Sequence, residues 1–202
     1  MKPRPAPIAP FDPQAYCPRM NLSAIVTDTW NELADERGSG NPARYIPALA
    51  LVDPRKFGIA LATPDGRVFC AGDADEAFSI QSISKVYALA LALEREGPAL
   101  WDAVGREPSG NAFNSIVQLE REKGIPRNPF INSGAIVTTD RFIGDRSPDV
   151  AVADLLSRLR RMARDETIEF DAEVARSESE TGSRNRSLAY FLEDFGRLYN
   201  PV

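Results

Sequence analysis

The chain has 202 residues, of which 43% are hydrophobic and 26% are charged, and its formal net charge is −5 at pH 7. This composition is that of a globular protein with a core, and the acidic balance argues against a nucleic-acid backbone as partner. The sequence contains no histidine, which excludes Ser-His-Asp and Cys-His catalytic arrangements and removes the commonest metal ligand.

The first segment, residues 1–19, is rich in proline and lacks the apolar stretch of a secretory signal, so we predict a disordered leader. Two cysteines occur, Cys17 in this leader and Cys70 further along. A structural disulfide is not favoured, and a reducing compartment is expected. No apolar run reaches the roughly 18 residues of a membrane span. The sequence therefore predicts a cytoplasmic protein.

A helix and a β-hairpin follow the leader. From Asn21 onward, apolar residues recur at helical spacing until the Gly-Ser-Gly stretch at 38–40. Residues 57–62 and 67–71 have the composition of strands, and the Pro-Asp-Gly stretch at 64–66 is typical of the turn that joins them.

Residues 80–96 contain an almost wholly apolar run at 86–93. Alternating leucine and alanine could form a strand, but both residues favour helices, the stretch is long for a strand, and Gly97-Pro98 ends a helix. We therefore predict a helix. Because residues 86–93 are apolar on all sides, we expect this helix to be buried in the middle of the domain.

Helices dominate the rest of the chain. A loop-rich region at 107–134 contains a predicted helix at 114–123, and two more helices are predicted to begin at Ser147 and near Ser183. Four arginines in the helix that begins at Ser147 are interpreted as a solvated face: Arg158, Arg160, Arg161 and Arg164. A few strands followed by a run of helices indicate the α+β class.

Ser82 and Lys85 form the strongest candidate for chemistry. Residues three apart on a helix are neighbours, so the amine of Lys85 can reach the hydroxyl of Ser82. A lysine in an apolar helix is desolvated, which lowers its pKa and makes the neutral amine available as a base. The alternative is a surface lysine near a helix start, because Ser-x-x-Lys occurs in many chains by chance. Only four of the 24 basic residues are lysines, which favours a role that arginine cannot fill.

Five segments in order resemble the bacterial-type glutaminase family. They are YIPALA at 45–50, GDADEAFSIQSISKV at 72–86, EPSG at 107–110 with FNS at 113–115, RNPFINSGA at 127–135, and ARSE at 175–178 with RN at 184–185. The resemblance implies the α+β fold of serine β-lactamases and transpeptidases. Residues 20–202 would form the N-terminal and helical part of the glutaminase domain.

The resemblance also implies an activity and a site. Members hydrolyse L-glutamine to glutamate and ammonia through an acyl-enzyme, with Ser82 as nucleophile and Lys85 as base. Tyr45 would line the pocket, and Asn132, Glu178 and Asn185 would contact the substrate together with Ser82: these five residues form the expected substrate site. No metal or organic cofactor is implied. L-Glutamine is the expected partner, and relatives commonly assemble as dimers or tetramers.

The expected substrate contacts agree with the charges of free glutamine. Its ammonium needs an anion such as Glu178, and its carboxylate needs donors such as the amides of Asn132 and Asn185. Two alternatives stay open from the residues themselves. Asn132 could be a plain turn residue, and Glu178 could belong to a helix N-cap cluster with its neighbouring serines.

The sequence departs from the family pattern at two points. Ser133 stands where many members have alanine. By the resemblance, the C-terminal third of the family's domain is expected to be missing from these 202 residues; in the family it carries a Lys-Ser-Gly-type strand and the second backbone donor of the oxyanion hole. An incomplete sheet is expected, and loss of one donor costs roughly 10² to 10³ in rate. A weak or silent fragment is therefore an alternative. Another Ser-x-x-Lys hydrolase, such as a β-lactamase, is less favoured because Asn132 and Glu178 suit a free amino acid.

Overall fold

The computed structural model describes residues 20–202, so the predicted leader at 1–19 lies outside the described residues. Contacts divide the chain into two compact units. The described part of the first unit comprises residues up to 42 and residues 51–77, and the second comprises residues 43–50 and 78–202. Within residues 20–202, no helix is both long and apolar enough to cross a membrane.

The first unit consists of one α-helix and a hairpin. Helix α1 spans Leu22–Glu32, and the Asn21 side chain caps it by accepting a hydrogen bond from the Ala24 N–H at 3.1 Å. Strands β1 (Gly58–Ala62) and β2 (Val68–Gly72) pair antiparallel and form the two-stranded sheet. The predicted first helix and hairpin are thus confirmed.

Helix α1 packs against the hairpin through Trp30. Its indole Nε1 donates to the Phe57 carbonyl at 3.0 Å. Gly72 lies under this indole, where a Cβ atom would come within 1.9 Å of Nε1, and its φ of +69° also favours glycine. Trp30 and Gly72 therefore fix where the second strand ends.

The second unit is helical. Its helices are, in chain order, α2 (Ser84–Glu96), α3 (Leu100–Ala103), α4 (Ile116–Arg121), α5 (Asn132–Ile143), α6 (Pro148–Ala163), α7 (Ala172–Thr181) and α8 (Ser183–Asp194). The structure confirms the predicted helix over 80–96 and those predicted at 114–123, from Ser147 and near Ser183. Together with the hairpin, these helices give the α+β fold expected from the sequence.

Helix α5 lies between two hydrophobic clusters. The first joins α2, α3, α5 and α6 through Leu91, Ala92, Leu100, Val104, Phe142 and Ala151. The second joins α4, α5 and α8 through Leu119, Val137, Leu188 and Leu192. Because α5 contributes Phe142 to one and Val137 to the other, it is the central element of the unit.

Sequence patterns missed helix α5. It begins with Asn-Ser-Gly, which is typical of a turn, and continues through Ile136, Val137, Thr138 and Thr139, whose branched side chains favour strands. Packing on two faces outweighs these weak local preferences. Tertiary contacts therefore decide this helix.

One other expectation is wrong, and one holds only for the exposed Arg161 and Arg164. Helix α2 is not buried on all sides, because Val86 is 54% exposed and its buried residues are Leu91 and Ala92. The arginines of α6 are not simply a solvated face. Arg158 forms an ion pair with Asp154 at 2.9 Å within α6 and another with Glu94 at 2.7 Å. The ion pair with Glu94 links α6 to α2.

A buried ion pair in α5 holds the segment after α8. Asp140 and Arg141 are paired at 2.6 Å, and each side chain is 8% exposed. The Asp140 carboxylate accepts hydrogen bonds from the backbone N–H groups of Tyr199 at 2.8 Å and Asn200 at 3.0 Å. The Arg141 guanidinium lies 3.4 Å from the centre of the Tyr199 ring and donates to the Arg197 carbonyl. This arrangement fastens residues 197–200 to the helix.

Replacing Asp140 by alanine is expected to lower the free energy of unfolding by about 3 kcal/mol, because Arg141 and two backbone donors lose their buried partner. Urea denaturation at neutral pH measures the change. Asp28→Ala is the matched control, since Asp28 is exposed on α1 and forms no ion pair among the described residues. A loss below about 1 kcal/mol for Asp140→Ala would contradict the assigned role.

Candidate active site

Ser82 is presented by a strained turn rather than by the helix itself. It lies in the 3₁₀ turn Gln81–Ile83, directly before α2, and is exposed. Gln81 has a φ of +43°, a left-handed conformation that residues other than glycine rarely adopt. The hydroxyl of Ser84 donates to the Gln81 carbonyl at 2.7 Å, and the Gln81 amide donates to Ser79 Oγ at 2.9 Å. These two bonds hold the strained residue that sets the direction of Ser82.

Lys85 lies in the first turn of α2 and is half-buried. Its Nζ donates to the Phe130 carbonyl at 3.1 Å and to Asn132 Oδ1 at 2.9 Å. Within the described residues, no hydrogen bond joins Nζ to Ser82 Oγ. Burial lowers the pKa of Lys85 below its ordinary value, and the Glu178 carboxylate opposes this shift.

The two acceptors leave Lys85 suited to act as a base. A neutral amine has two N–H bonds and one lone pair. When both N–H bonds point at Phe130 and Asn132, the lone pair must point in another direction. The lowered pKa increases the fraction of amine that carries this lone pair. The geometry is therefore compatible with proton transfer from a hydroxyl that approaches from the cavity.

Asn132 connects Lys85 to another predicted site residue. It is the first residue of α5, and its N–H donates to the Phe113 carbonyl at 2.8 Å. Its Oδ1 accepts from Lys85, and its Nδ2 donates to Asn185 Oδ1 at 3.0 Å. The interpretation of Asn132 as a plain turn residue is wrong, because the residue is helical and both ends of its amide are bound.

Glu178 and Asn185 lie on different helices. Glu178 is inside α7, whose N-cap is Asp171, so the N-cap interpretation of Glu178 is wrong. The first of these helices, α7, ends before Gly182, and α8 begins at Ser183. Ser177, beside Glu178, is buried and accepts a hydrogen bond from the Ala48 N–H at 3.1 Å. That bond fastens the segment 43–50 to α7.

One cavity brings three of the predicted residues together. Its volume is about 140 Å³, and it is lined by Gln81, Ser82, Ser84, Lys85 and Glu178. Asn132 is joined to this set through Lys85, and Asn185 through Asn132. Tyr45 is not among the lining residues and is 74% exposed, so its role stays a prediction.

Sequence reasoning missed Gln81, Ser84 and the Phe130 carbonyl. Gln81 and Ser84 flank Ser82 in the chain, and proximity alone could have indicated them. No pattern could have identified the carbonyl, since every residue has one. Among residues 20–202, no group of acidic or cysteine side chains is arranged to hold a metal ion.

Comparison with known proteins gives consistent matches. The family model described as Glutaminase matches residues 40–202. A protein named Glutaminase from Mesorhizobium japonicum is 58% identical over 179 residues, which cover 89% of this chain and 57% of the relative. The chain therefore spans a little more than half the length of that relative.

Two solved structures show the same likeness. The crystal structure of a protein called Mglu, in its glutamate form, matches with a TM-score of 0.81 at 38% sequence identity. The match covers 90% of this chain and 41% of the Mglu chain. The crystal structure of a probable glutaminase from Bacillus subtilis matches with a TM-score of 0.78 at 34% sequence identity. This match covers 90% of this chain and 55% of the Bacillus subtilis chain.

Proposed function

Because the chain belongs to the glutaminase family, we propose that it hydrolyses the side-chain amide of L-glutamine to glutamate and ammonia, with Ser82 as the nucleophile. The observation that carries this proposal is a cavity lined by the hydroxyl of Ser82, the amine of Lys85, whose pKa is lowered, and the carboxylate of Glu178. These are the nucleophile, the base and the anion that hydrolysis of a zwitterionic amide requires.

In the proposed reaction, the neutral amine of Lys85 accepts the proton of Ser82 as the oxygen forms a bond to the amide carbon. The resulting ammonium returns the proton to the departing nitrogen, the C–N bond breaks and ammonia leaves. A water molecule then attacks the acyl-enzyme, loses a proton to Lys85, and releases glutamate as Ser82 recovers its hydrogen. Lys85 is thus base and acid in turn.

Charge complementarity supports the same substrate. Glu178 can pair with the ammonium of glutamine across the cavity. Asn185 Nδ2 has no acceptor among the described residues, and Asn132 Nδ2 is bound only to Asn185, so both amides can donate to a carboxylate. The glutamate form of Mglu supports the proposal, because glutamate is the product expected here.

The proposal is tested by measuring ammonia and glutamate released from L-glutamine by this chain and by its Ser82→Ala variant. Release that depends on Ser82 is the expected result. Added hydroxylamine should intercept the acyl-enzyme and form the glutamyl hydroxamate. Absence of Ser82-dependent release would contradict the proposal, and turnover of a chromogenic β-lactam instead would indicate another acyl hydrolase.

Glu178→Gln is expected to raise KM for L-glutamine about tenfold or more, because the substrate ammonium loses its anion. The same change should move the acid limb of the pH–rate profile to lower pH. Glu178 stabilises the charged form of Lys85, so its removal lowers the pKa of Lys85 further. Steady-state kinetics across pH measure both effects. Glu180→Gln is the control, because Glu180 is an exposed residue on the same helix, α7. In Glu178→Gln, an acid limb that moves to higher pH would contradict the proposed charge coupling between Glu178 and Lys85.

Two expectations extend beyond the site. Assembly as a dimer or tetramer rests on the family resemblance, and light scattering of the purified chain would test it. A cytoplasmic location rests on the composition of the sequence, and cell fractionation would test it.

A further inference from the structure

Asn128 organises the loop that leads into α5. Its Oδ1 accepts hydrogen bonds from the backbone N–H groups of Phe130 at 2.9 Å and Ile131 at 3.2 Å. Its Nδ2 donates to the Glu107 carbonyl at 2.8 Å. An asparagine side chain that binds the backbone two residues ahead replaces a main-chain turn and fixes the peptides between. Asn128 therefore sets the course of the chain through Phe130.

The Asn128 backbone is fixed from other sides as well. The Glu107 N–H donates to the Arg127 carbonyl at 2.9 Å, so the segment beside Asn128 cannot shift freely. A Cβ atom on Gly134 would lie 1.8 Å from the Asn128 carbonyl oxygen, which shows that the first turn of α5 presses against this peptide. Asn128 is thus anchored while its side chain holds the loop.

The loop that Asn128 holds contacts the amine of Lys85, the proposed base. Phe130 presents its carbonyl to Lys85 Nζ at 3.1 Å, and its N–H is the group that Asn128 binds. Phe130 is 46% exposed, so packing of its side chain alone does not fix this residue. We propose that Asn128 is a positioning residue for Lys85, because it holds the Phe130 carbonyl that occupies one N–H of the amine. The lone pair of the amine is then directed by this carbonyl and Asn132 together. The proposal rests on the proposed function of Lys85 as base.

The second acceptor of Lys85 has separate anchors. Asn132 is held by its own N–H bond to the Phe113 carbonyl at 2.8 Å and by its bond to Asn185 at 3.0 Å. Loss of the Asn128 side chain should therefore disturb the orientation of Lys85 more than the proposed substrate contacts. This separation predicts an effect on kcat with little change in KM.

We expect Asn128→Ala to lower kcat for L-glutamine by about tenfold to a hundredfold while KM stays within about twofold. Asn128→Asp keeps the acceptor for the two backbone N–H groups, and it should restore kcat to within about threefold of the parent chain. Asn111→Ala is the control, because Asn111 is exposed and its side chain forms no hydrogen bond among the described residues. Circular dichroism verifies that each variant is folded.

A second measurement does not need turnover. Competitive acetylation with acetic anhydride, read by mass spectrometry, compares Lys85 with the exposed Lys56 in the same chain. In Asn128→Ala, the Phe130 carbonyl should no longer hold an N–H of Lys85. Loss of this acceptor disfavours the charged ammonium, so acetylation of Lys85 relative to Lys56 should rise about threefold or more. In Asn128→Asp it should match the parent chain. If the parent chain does not hydrolyse L-glutamine, the proposed function fails. The acetylation ratio of Lys85 to Lys56 still decides whether Asn128 positions the amine.

Three outcomes would overturn the role of Asn128. The first is a folded Asn128→Ala variant that keeps kcat within about twofold and an unchanged labelling ratio. The second is an equal loss in Asn128→Asp, since that variant keeps the acceptor for Phe130 and Ile131 and loses only the donor to the Glu107 carbonyl. The third is a rise in KM as large as the fall in kcat, which would indicate general disruption of the site.

Discussion

Replacing Ser82 by alanine is expected to reduce hydrolysis of L-glutamine by about a thousandfold or more, because no acyl-enzyme can form. The fold should be retained. Ser82 is exposed, its hydroxyl forms no hydrogen bond among the described residues, and the strained turn is held by Ser84 and Ser79 instead. The expected result is therefore a loss of kcat without a loss of stability.

Two measurements separate chemistry from folding in this experiment. Ammonia release and hydroxamate formation report the chemistry, and urea denaturation reports the free energy of unfolding. Ser157→Ala provides the same substitution at an exposed position of α6, outside the cavity, and should behave like the parent chain. Hydroxamate formation by Ser82→Ala at the parent rate would remove Ser82 from its proposed role.

Lys85→Arg should lower kcat by about a hundredfold or more, since a guanidinium does not give up its proton at neutral pH. Arginine can still donate to the Phe130 carbonyl and to Asn132, so the surrounding hydrogen bonds can survive. In the parent chain, turnover should increase as pH rises through the lowered pKa of Lys85, because the neutral amine is the active form. Lys85→Arg should lose this pH dependence.

The protonation of Lys85 can be observed directly. Reductive methylation with ¹³C-formaldehyde labels the amines, and four lysines give few resonances to assign. The Lys85 methyl signal should titrate at lower pH than that of Lys56, whose pKa is raised by its hydrogen bond to the Glu76 carboxylate. Lys56→Arg is the matched control, and it should leave turnover unchanged. Equal midpoints for Lys56 and Lys85 would contradict the assignment of Lys85 as base.

Much of the secondary structure can be read from local patterns. The Pro-Asp-Gly turn predicts the hairpin, Ser147-Pro148 predicts the start of α6, and Ser147 does cap that helix. Helix α5 could not be predicted this way. Its first turn resembles a loop, and the free energy that makes it helical comes from packing against both hydrophobic clusters.

By itself, the sequence indicated the kind of chemistry that we propose, because a serine followed one turn later by a rare lysine is typical of an activated hydroxyl. Tertiary structure alone decided how the lysine is held. The acceptors from Phe130 and Asn132 come from a distant part of the chain. The left-handed Gln81 depends on bonds that no residue pattern specifies. Side-chain chemistry is a property of each residue, whereas the direction of a lone pair depends on contacts that exist only after folding.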